Sequence, residues 1–280
     1  MQRRTFIQTI SAAAAAGGAT APAQTARKGR LKQAVCQGVF RGLNLDLEGM
    51  CREAARLGAK GFDLKGPSDF AVIKKYGLVP TMVGGGSSIK AGINDRKLHD
   101  EIEQRMRPIL KAAADAGAPN VIVMAGDRAS ISDDQGIDNS VVFLNKVKAQ
   151  AEDLGVTLCI ELLNSKVDHP GYMADHTLWG VEVCKRVGSP RVKLLYDIYH
   201  MQIMEGDVIR TIRDHIGYIA HFHTAGNPGR HEFDETQELN YAAIAGAIAD
   251  LNFQGYVAHE YTPTKDPLGT LDKMMAICDV

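Results

Sequence analysis

From Leu31 onward, short apolar or β-branched runs alternate with amphipathic stretches of helical period, and no long linker or low-complexity segment interrupts them. The pattern predicts eight pairs of a strand and a helix. Strands are predicted at residues 31–40, 58–65, 78–83, 120–125, 156–163, 192–199, 218–224 and 255–261. Helices are predicted to begin near Asp46, Asp69, Arg96, Asp138, Thr177, Asp207 and Asn240, with a last one after Pro267. Asp175 or Thr177 is expected to cap the fifth helix and Gly188 to end it.

Strands and helices that alternate in this way are typical of α/β proteins with parallel strands. Eight such units in about 250 residues favour a single closed (β/α)8 barrel, the TIM-barrel architecture. An open doubly wound sheet is the alternative. It would require a glycine-rich dinucleotide-binding turn after the first strand, and the QGVF sequence at 37–40 is not one.

The charge and composition of the chain exclude some classes of function. The 280-residue chain is 45% hydrophobic and carries 32 basic against 33 acidic residues, so no overall positive field exists to hold a polyanion. Nucleic acid is therefore not an expected partner. From residue 27 onward the sequence contains no run of about 18 apolar residues, the length that a membrane span needs. The five cysteines form no CxxC pair and are predicted to be buried thiols: Cys36, Cys51, Cys159, Cys184 and Cys278.

Residues 1–26 differ in character from the rest of the chain. They begin with the pair Arg3 and Arg4, continue through an alanine-rich stretch and reach Ala21-Pro22-Ala23, the order of an export signal with its cleavage site. The paired arginines resemble a twin-arginine signal, although Gln2 stands where Ser or Thr is usual. We expect residues 1–26 to be a signal peptide that directs the folded protein to the periplasm through the twin-arginine machinery. Residues 27–280 form the barrel. An N-terminal tail is the alternative.

The active sites of TIM barrels lie at the carboxyl ends of the strands. Four successive predicted strands end with Glu161, Asp197, His223 and Glu260, which are 36, 26 and 37 residues apart, about one strand–helix unit each. Three oxygen donors and one nitrogen suit Mg²⁺ or Mn²⁺ better than a closed zinc site. Each of these residues also has a structural alternative: an ion pair for Glu161, a cap on the following turn for Asp197 and a place in the core for His223.

Other polar residues near the predicted mouth are weaker candidates. His221 shares a strand face with His223 and is expected to support it or to pack in the core. His259 points away from its neighbour Glu260 and is expected to have a structural role. Asp63 and Lys65 lie near the end of the second strand. The sequence leaves open whether their side chains reach the site or are solvated. Arg230 follows the seventh strand and is expected to hold a carboxylate or another anionic oxygen, with a solvated loop arginine as the alternative.

Several motifs carry a family resemblance. The segments IELLNSKVDHPGYM, LLYDIYHMQ, HFHTAGNPGRHE and VAHEYTP resemble the hydroxypyruvate isomerase branch of the xylose-isomerase-like sugar isomerases and epimerases, and GFDLKGPSDF and KKYGLVPTMVGG are similar to that branch. The resemblance implies one divalent ion held by Glu161, Asp197, His223 and Glu260. It further implies that Glu161 and Glu260 act as the acid and base, and that His200 and Arg230 hold the substrate.

Two features depart from this family pattern. Hydroxypyruvate isomerases usually have Gln where His223 stands, whereas ketose 3-epimerases have His. The stretch 164–169 also differs from the sugar epimerases and leaves the substrate open.

The residue types themselves also indicate a class of reaction. An α-hydroxy carbonyl compound can chelate a divalent ion, which stabilises the enediolate left when a carbon-bound proton departs. One carboxylate takes that proton and a second group returns one. The leading hypothesis is an isomerase of small hydroxy-carbonyl compounds. A ketose 3-epimerase, a dehydratase or lyase on the same scaffold, and a non-catalytic sugar-binding barrel are the alternatives. The oligomeric state is open, with a homo-oligomer included.

Overall fold

Eight parallel strands form a closed barrel in chain order, with β1 pairing to both β2 and β8. The computed structural model describes residues 26–280, so the predicted signal segment lies outside the described residues except for Ala26. The strands are β1 Lys32–Val35, β2 Gly61–Lys65, β3 Val79–Gly84, β4 Asn120–Val123, β5 Thr157–Leu162, β6 Val192–Asp197, β7 Ile219–Thr224 and β8 Tyr256–His259. The predicted TIM barrel is thereby confirmed.

The helices surround this barrel. They are α1 Leu47–Arg56, α2 Phe70–Lys75, α3 His99–Ala116, α4 Asp133–Leu154, α5 Thr177–Val187, α6 Ile198–Met204, α7 Val208–His215, α8 Tyr241–Asp250 and α9 Pro267–Ile277. One large apolar cluster lies between strands and helices, and the five cysteines are buried free thiols, as predicted. Within residues 26–280, no helix is both long and apolar enough to cross a membrane.

The first strand is shorter than predicted. It ends at Val35, and Gln37–Phe40 form a 3-10 helix instead of a strand. Val39 and Phe40 are both buried although they are adjacent in sequence. Barrel strands are also buried on both faces, so this apolar run continued the strand pattern in the sequence.

The prediction for the sixth strand is wrong beyond Asp197. The Asp197 carboxylate accepts hydrogen bonds from the backbone N–H groups of Tyr199, at 2.9 Å, and His200, at 3.2 Å. These are the amides that a helix leaves without partners at its amino end, so Asp197 ends β6 and caps α6. The cap predicted as one alternative for Asp197 is therefore present. His200 lies on α6, a helix that the sequence pattern did not predict.

Two further helix starts differ from expectation. Helix α4 begins at Asp133 after the cap Ser132, five residues before the predicted Asp138. Neither Asp175 nor Thr177 caps α5. Instead, Glu205, remote in sequence, accepts hydrogen bonds from the Thr177 backbone N–H at 2.8 Å and hydroxyl at 2.6 Å. Gly188 ends α5 in the left-handed conformation, as predicted.

Candidate metal centre

Four side chains from four neighbouring elements meet at the carboxyl end of the barrel. Glu161 lies in β5, Asp197 ends β6, His223 lies in β7, and Glu260 directly follows β8. One ligand atom from each residue lies within 4.8 Å of the others. Asp197 and His223 are partners in the register of β6 and β7, which places them at the same level of the barrel. The structure thus brings together all four predicted ligands.

His223 is the centre of this cluster. Its Nδ1 atom lies 2.9 Å from Glu260 Oε2 and 3.6 Å from Glu161 Oε1. The side chain is fully buried, and Nδ1 has no hydrogen-bond partner among the described residues. A buried nitrogen lone pair surrounded by carboxylate oxygens requires a proton or a cation. Three carboxylates and one imidazole therefore fit a divalent ion, and the oxygen-rich set matches the preference of Mg²⁺ and Mn²⁺.

The electrostatics of the cluster agree with this assignment. Burial raises the pKa of Glu161 and of Asp197, because the charged form loses its hydration. Burial also tends to raise the pKa of Glu260, but the positive charges of His223 and Arg230 have the larger effect and lower this pKa to about 2. The pKa of His223 is raised despite burial, mainly by the Glu260 charge. Several buried carboxylates so close together need positive charge for their stability.

Arg230 supplies part of that positive charge. It lies in the loop after β7, in a left-handed backbone conformation with φ of 56°. Its Nη2 atom is 2.7 Å from Glu260 Oε2 and 3.5 Å from Asp197 Oδ2. The guanidinium also lies over the Tyr199 ring, 5.5 Å from its centroid. Arg230 is therefore part of the site and not a solvated loop residue.

His200 reaches the same site from α6. Its side chain is fully buried, and Nε2 lies 3.6 Å from Asp197 Oδ2 without a hydrogen-bond partner in the described part of the chain. Nδ1 is 2.6 Å from the Asn164 amide nitrogen. Burial holds the pKa of His200 well below its usual value, so the ring is uncharged at neutral pH. His200 therefore presents a polar atom to the centre.

Asp63 has a more central place than the sequence indicated. It is fully buried, and its Oδ2 atom lies 2.6 Å from His221 Nε2 and 3.0 Å from His223 Nε2. The Thr81 hydroxyl donates to Oδ1. The carboxylate thus orients His223 so that Nδ1 faces the cluster, the arrangement by which outer carboxylates fix metal-binding histidines. His221 contacts the same carboxylate oxygen, which agrees with the expectation that it supports His223.

Strand β2 has a bulge beside Asp63. The register between β2 and β3 shifts on both sides of Asp63, and Leu64 takes a left-handed φ of 56° with its side chain exposed. A bulge changes the direction of the side chains that follow it, and Lys65 lies on the face of Phe62, with Nζ 5.5 Å from the centroid of that ring. Asp63 itself shares the interior face with Gly61, against Thr81, as regular alternation requires. The available signal was that two buried histidines on β7 need an acidic partner.

Three other residues near the centre have structural contacts. His259 is buried between the Thr224 hydroxyl, 2.9 Å from Nδ1, and Gln33 Oε1, 2.8 Å from Nε2, in line with its predicted structural place. Lys65 is not in the cluster; its Nζ donates to Gln37 Oε1 at 2.6 Å. Cys36, Asp63 and His223 also bring ligand atoms within 4.8 Å. Because Asp63 already accepts three hydrogen bonds, we interpret this second group as support for His223.

A small cavity of about 250 Å³ lies beside the cluster. It is lined by the site residues Glu260 and Arg230, by Cys36 and Asp63, and by a second arginine, Arg41. Arg41 is exposed and its side chain makes no hydrogen bond or ion pair within residues 26–280. The cavity therefore places Glu260, one carboxylate of the cluster, beside guanidinium groups that can bind an anion.

Comparison with known proteins identifies the family. Residues 51–277 match the family described as the Xylose isomerase-like TIM barrel, and the chain belongs to that family. This confirms the resemblance inferred from the motifs at the level of the family.

Two relatives have named activities. The chain is 38% identical over 127 residues to the 2-oxo-tetronate isomerase of Cupriavidus necator, which covers 45% of this chain and 46% of the relative. It is 36% identical over 108 residues to the hydroxypyruvate isomerase of Escherichia coli, which covers 39% of this chain and 41% of the relative. Each alignment thus spans less than half of the relative. Both relatives are isomerases, which confirms the predicted enzyme class.

A solved structure supports the fold independently. The chain superimposes on the crystal structure of an AP endonuclease, family 2, from Brucella melitensis with a TM-score of 0.78. The two chains are 23% identical, and the match covers 86% of this chain and 97% of the other. At this identity the likeness concerns the barrel architecture alone.

Proposed function

We propose that this protein is a divalent-metal-dependent isomerase that interconverts small hydroxy-carbonyl compounds, similar to hydroxypyruvate isomerase. The observation that carries the proposal is the convergence of Glu161, Asp197, His223 and Glu260 within 4.8 Å, with the buried His223 Nδ1 lacking a hydrogen bond. The two isomerase relatives support the same class of reaction. Their names both describe compounds with a carbonyl group beside a hydroxylated carbon.

The reaction needs two groups that exchange protons with the substrate. Glu161 and Glu260 stand on β5 and after β8, with β6 and β7 between them, so they border the centre from different sides. One carboxylate takes the proton from the hydroxylated carbon, which gives an enediolate, and the other returns a proton to the neighbouring carbon. The proton of the substrate hydroxyl moves to the former carbonyl oxygen, so that the two oxygens exchange their roles. A divalent ion, when bound, supplies positive charge that stabilises the negative oxygens. Asp197 and His223 complete the ligand set.

Other side chains position the substrate. His200 presents Nε2 to the centre, and Arg230 contacts carboxylate oxygens there, which supports a role of its guanidinium in holding an anionic group of the substrate. Arg41 lines the adjoining cavity. A cavity of about 250 Å³ and two arginines suit a short hydroxy-keto acid.

The test is isotope exchange from solvent. Purified protein is loaded with Mn²⁺ or Mg²⁺ and incubated in D₂O with hydroxypyruvate and a panel of hydroxy-carbonyl compounds, and deuterium at carbon is followed by NMR. We expect deuterium incorporation together with formation of the isomeric aldehyde acid. If no compound exchanges a proton in the presence of either ion, the protein is not an isomerase of this kind and the sugar-binding alternative gains support.

A ketose 3-epimerase is the second candidate. The observation that favours it is the histidine at position 223, because the epimerases of the resembling family have His where its hydroxypyruvate isomerases usually have Gln. The same exchange experiment separates the two, since an epimerase labels C3 of a keto sugar and inverts it. A dehydratase or lyase would instead release water or a fragment, which mass spectrometry detects.

The cellular location is a separate proposal. We propose that the protein is exported in the folded state to the periplasm, on the basis of Arg3, Arg4 and the Ala21–Ala23 segment of the sequence. Replacing both arginines by lysine in the precursor is expected to leave the protein in the cytoplasm. Unchanged appearance in the periplasmic fraction would contradict a twin-arginine route.

A further inference from the structure

The Asn164 side chain has a fixed orientation beside the centre. It is fully buried just after β5, and its Oδ1 atom accepts hydrogen bonds from two backbone N–H groups, those of Val167 at 3.0 Å and Asp168 at 2.9 Å. Rotating the amide by 180° would place its NH₂ group against these two donors. The hydrogen-bond network therefore decides which side of the amide carries the oxygen.

With this orientation, the amide nitrogen faces His200. Asn164 Nδ2 lies 2.6 Å from His200 Nδ1, and its second hydrogen is directed to Asp168 Oδ2 at 2.7 Å. Because Nδ2 can only donate, His200 Nδ1 must accept and cannot carry a proton. The Asp168 carboxylate is 3.9 Å from His200 Nδ1, too far for a hydrogen bond that would favour a proton there. The remaining ring proton is on Nε2.

His200 Nε2 is the atom that faces the centre. It is buried, lies 3.6 Å from Asp197 Oδ2 and has no hydrogen-bond partner within the described chain. We propose that Asn164 is a positioning residue that holds His200 in the Nε2–H tautomer, so that the ring donates a hydrogen bond to a substrate oxygen. This inference rests on the proposed isomerase function for the identity of that oxygen.

The tautomer defines what His200 can do. A ring whose only lone pair is engaged by Asn164 cannot remove a proton from a substrate hydroxyl. It can donate to a carbonyl oxygen that gains negative charge as the enediolate forms, which is the role of a fixed donor in an oxyanion site. Proton removal from carbon is therefore left to the carboxylates.

Neighbouring contacts keep the imidazole ring in place. The Tyr199 ring lies 5.1 Å from the His200 ring and the His169 ring 5.3 Å from it, and the Tyr199 hydroxyl donates to Asp168 Oδ2 at 2.8 Å. The ring therefore has little freedom to turn away from Asn164.

The tautomer can be measured directly on the metal-free protein without substrate. We would label histidine with ¹⁵N, assign the His200 signals by their loss in His200→Gln, and record long-range ¹H–¹⁵N correlation spectra at neutral pH. The expected result is the Nε2–H form of His200. Finding the Nδ1–H form or a doubly protonated ring would overturn the proposal, whatever the activity of the enzyme.

Two variants test whether Asn164 is the cause. Asn164→Asp keeps the acceptor for the two backbone amides but replaces the donor by an acceptor, so we expect Nδ1 of His200 to become protonated and kcat to fall by roughly a hundredfold. Asp168→Asn is the matched control, because it leaves the contact between Asn164 and His200 in place and is expected to retain the Nε2–H form. An unchanged His200 tautomer in folded Asn164→Asp, shown by circular dichroism, would refute the role of Asn164.

Discussion

Asp63 and His223 are joined by a hydrogen bond of 3.0 Å between a fully buried carboxylate and the imidazole Nε2, whereas Nδ1 of the same ring faces the other three candidate ligands. The contact fixes the proton on Nε2 and leaves the Nδ1 lone pair for a cation. Asp63→Asn is therefore expected to weaken the affinity for Mn²⁺ by about 10- to 100-fold, the usual cost of losing such a partner. Isothermal titration calorimetry of the metal-free protein with Mn²⁺ measures this.

Asp175→Asn serves as the control for this effect. Asp175 is also a buried carboxylate with several partners, but these are Arg128, Ser165 and His176. We expect its replacement to leave the Mn²⁺ affinity unchanged. Equal loss of affinity in both variants would show that general destabilisation, and not the contact with His223, is responsible.

Glu260 and Asp197 are predicted to differ in what they contribute. Glu260→Gln should lower kcat by at least roughly a hundredfold, because a general acid–base group is removed, while retaining more metal than Asp197→Asn. Elemental analysis of both variants, combined with the solvent deuterium exchange rate, makes the comparison. Similar exchange rates in the two variants at equal metal content would contradict the assigned roles.

The sequence was most informative where metal-ligating residue types recur once in each strand–helix unit. Glu161, Asp197, His223 and Glu260 follow one another at intervals of about one strand–helix unit, and a closed barrel necessarily brings such positions to one end. The alternation of strands and helices predicted the barrel for the same reason.

The sequence was less informative where contacts remote along the chain determine local structure. Lys65 does not share the interior face of Asp63, because of a bulge that depends on the pairing of β2 with β3. Helix α5 is capped by Glu205, which is 28 residues from Thr177. His200 belongs to a helix because the Asp197 carboxylate satisfies two backbone amides, so a residue predicted as a ligand of the metal is also a helix cap. Of these relationships, only the cap at Asp197 has a local pattern, an acidic residue directly before a helix, and the sequence left it as one alternative.

Metal binding is predicted to stabilise the fold. The carboxylates of Glu161, Asp197 and Glu260 are buried close together, and a divalent ion reduces their mutual repulsion only in the folded state. Binding at a hundred times Kd adds about 2.7 kcal/mol, which corresponds to a rise in Tm of roughly 5–10 °C for a barrel of this size. Differential scanning fluorimetry with and without Mn²⁺ tests the prediction. A shift of the same size in Asp197→Asn would place the ion elsewhere.

Asp175 is predicted to make stability depend on pH. Arg128, Ser165 and His176 lower the pKa of Asp175 although burial opposes them. The unfolded chain therefore binds the proton more readily than the folded one, so this contribution is complete above the unfolded pKa of about 3.9 and is lost as the pH falls further.

The variant Asp175→Asn isolates this contribution. Loss of the charge-assisted hydrogen bonds, at 2.8 and 3.1 Å to Arg128, should lower the free energy of unfolding by roughly 2 kcal/mol at pH 7. Urea denaturation at neutral pH and well below the unfolded pKa should show the gap between variant and parent narrowing in acid. Asp115→Asn, which removes an exposed pair with Lys111, should change stability little at either pH. A gap that widens in acid would contradict the direction assigned to the pKa shift.

Arg41 is predicted to select acidic substrates. It lines the cavity beside Glu260 and Arg230, and its side chain has no partner within residues 26–280. Replacing it with methionine should raise KM for hydroxypyruvate about tenfold, since a hydrogen-bonded charge contact at an exposed position contributes near 1.4 kcal/mol. KM for a neutral keto sugar should stay the same. Steady-state kinetics with both substrates measures the difference, and Arg52→Met, which removes an exposed arginine of α1, is the control. An equal rise in KM for both substrates would mean that Arg41 supports the shape of the cavity instead of recognising a carboxylate.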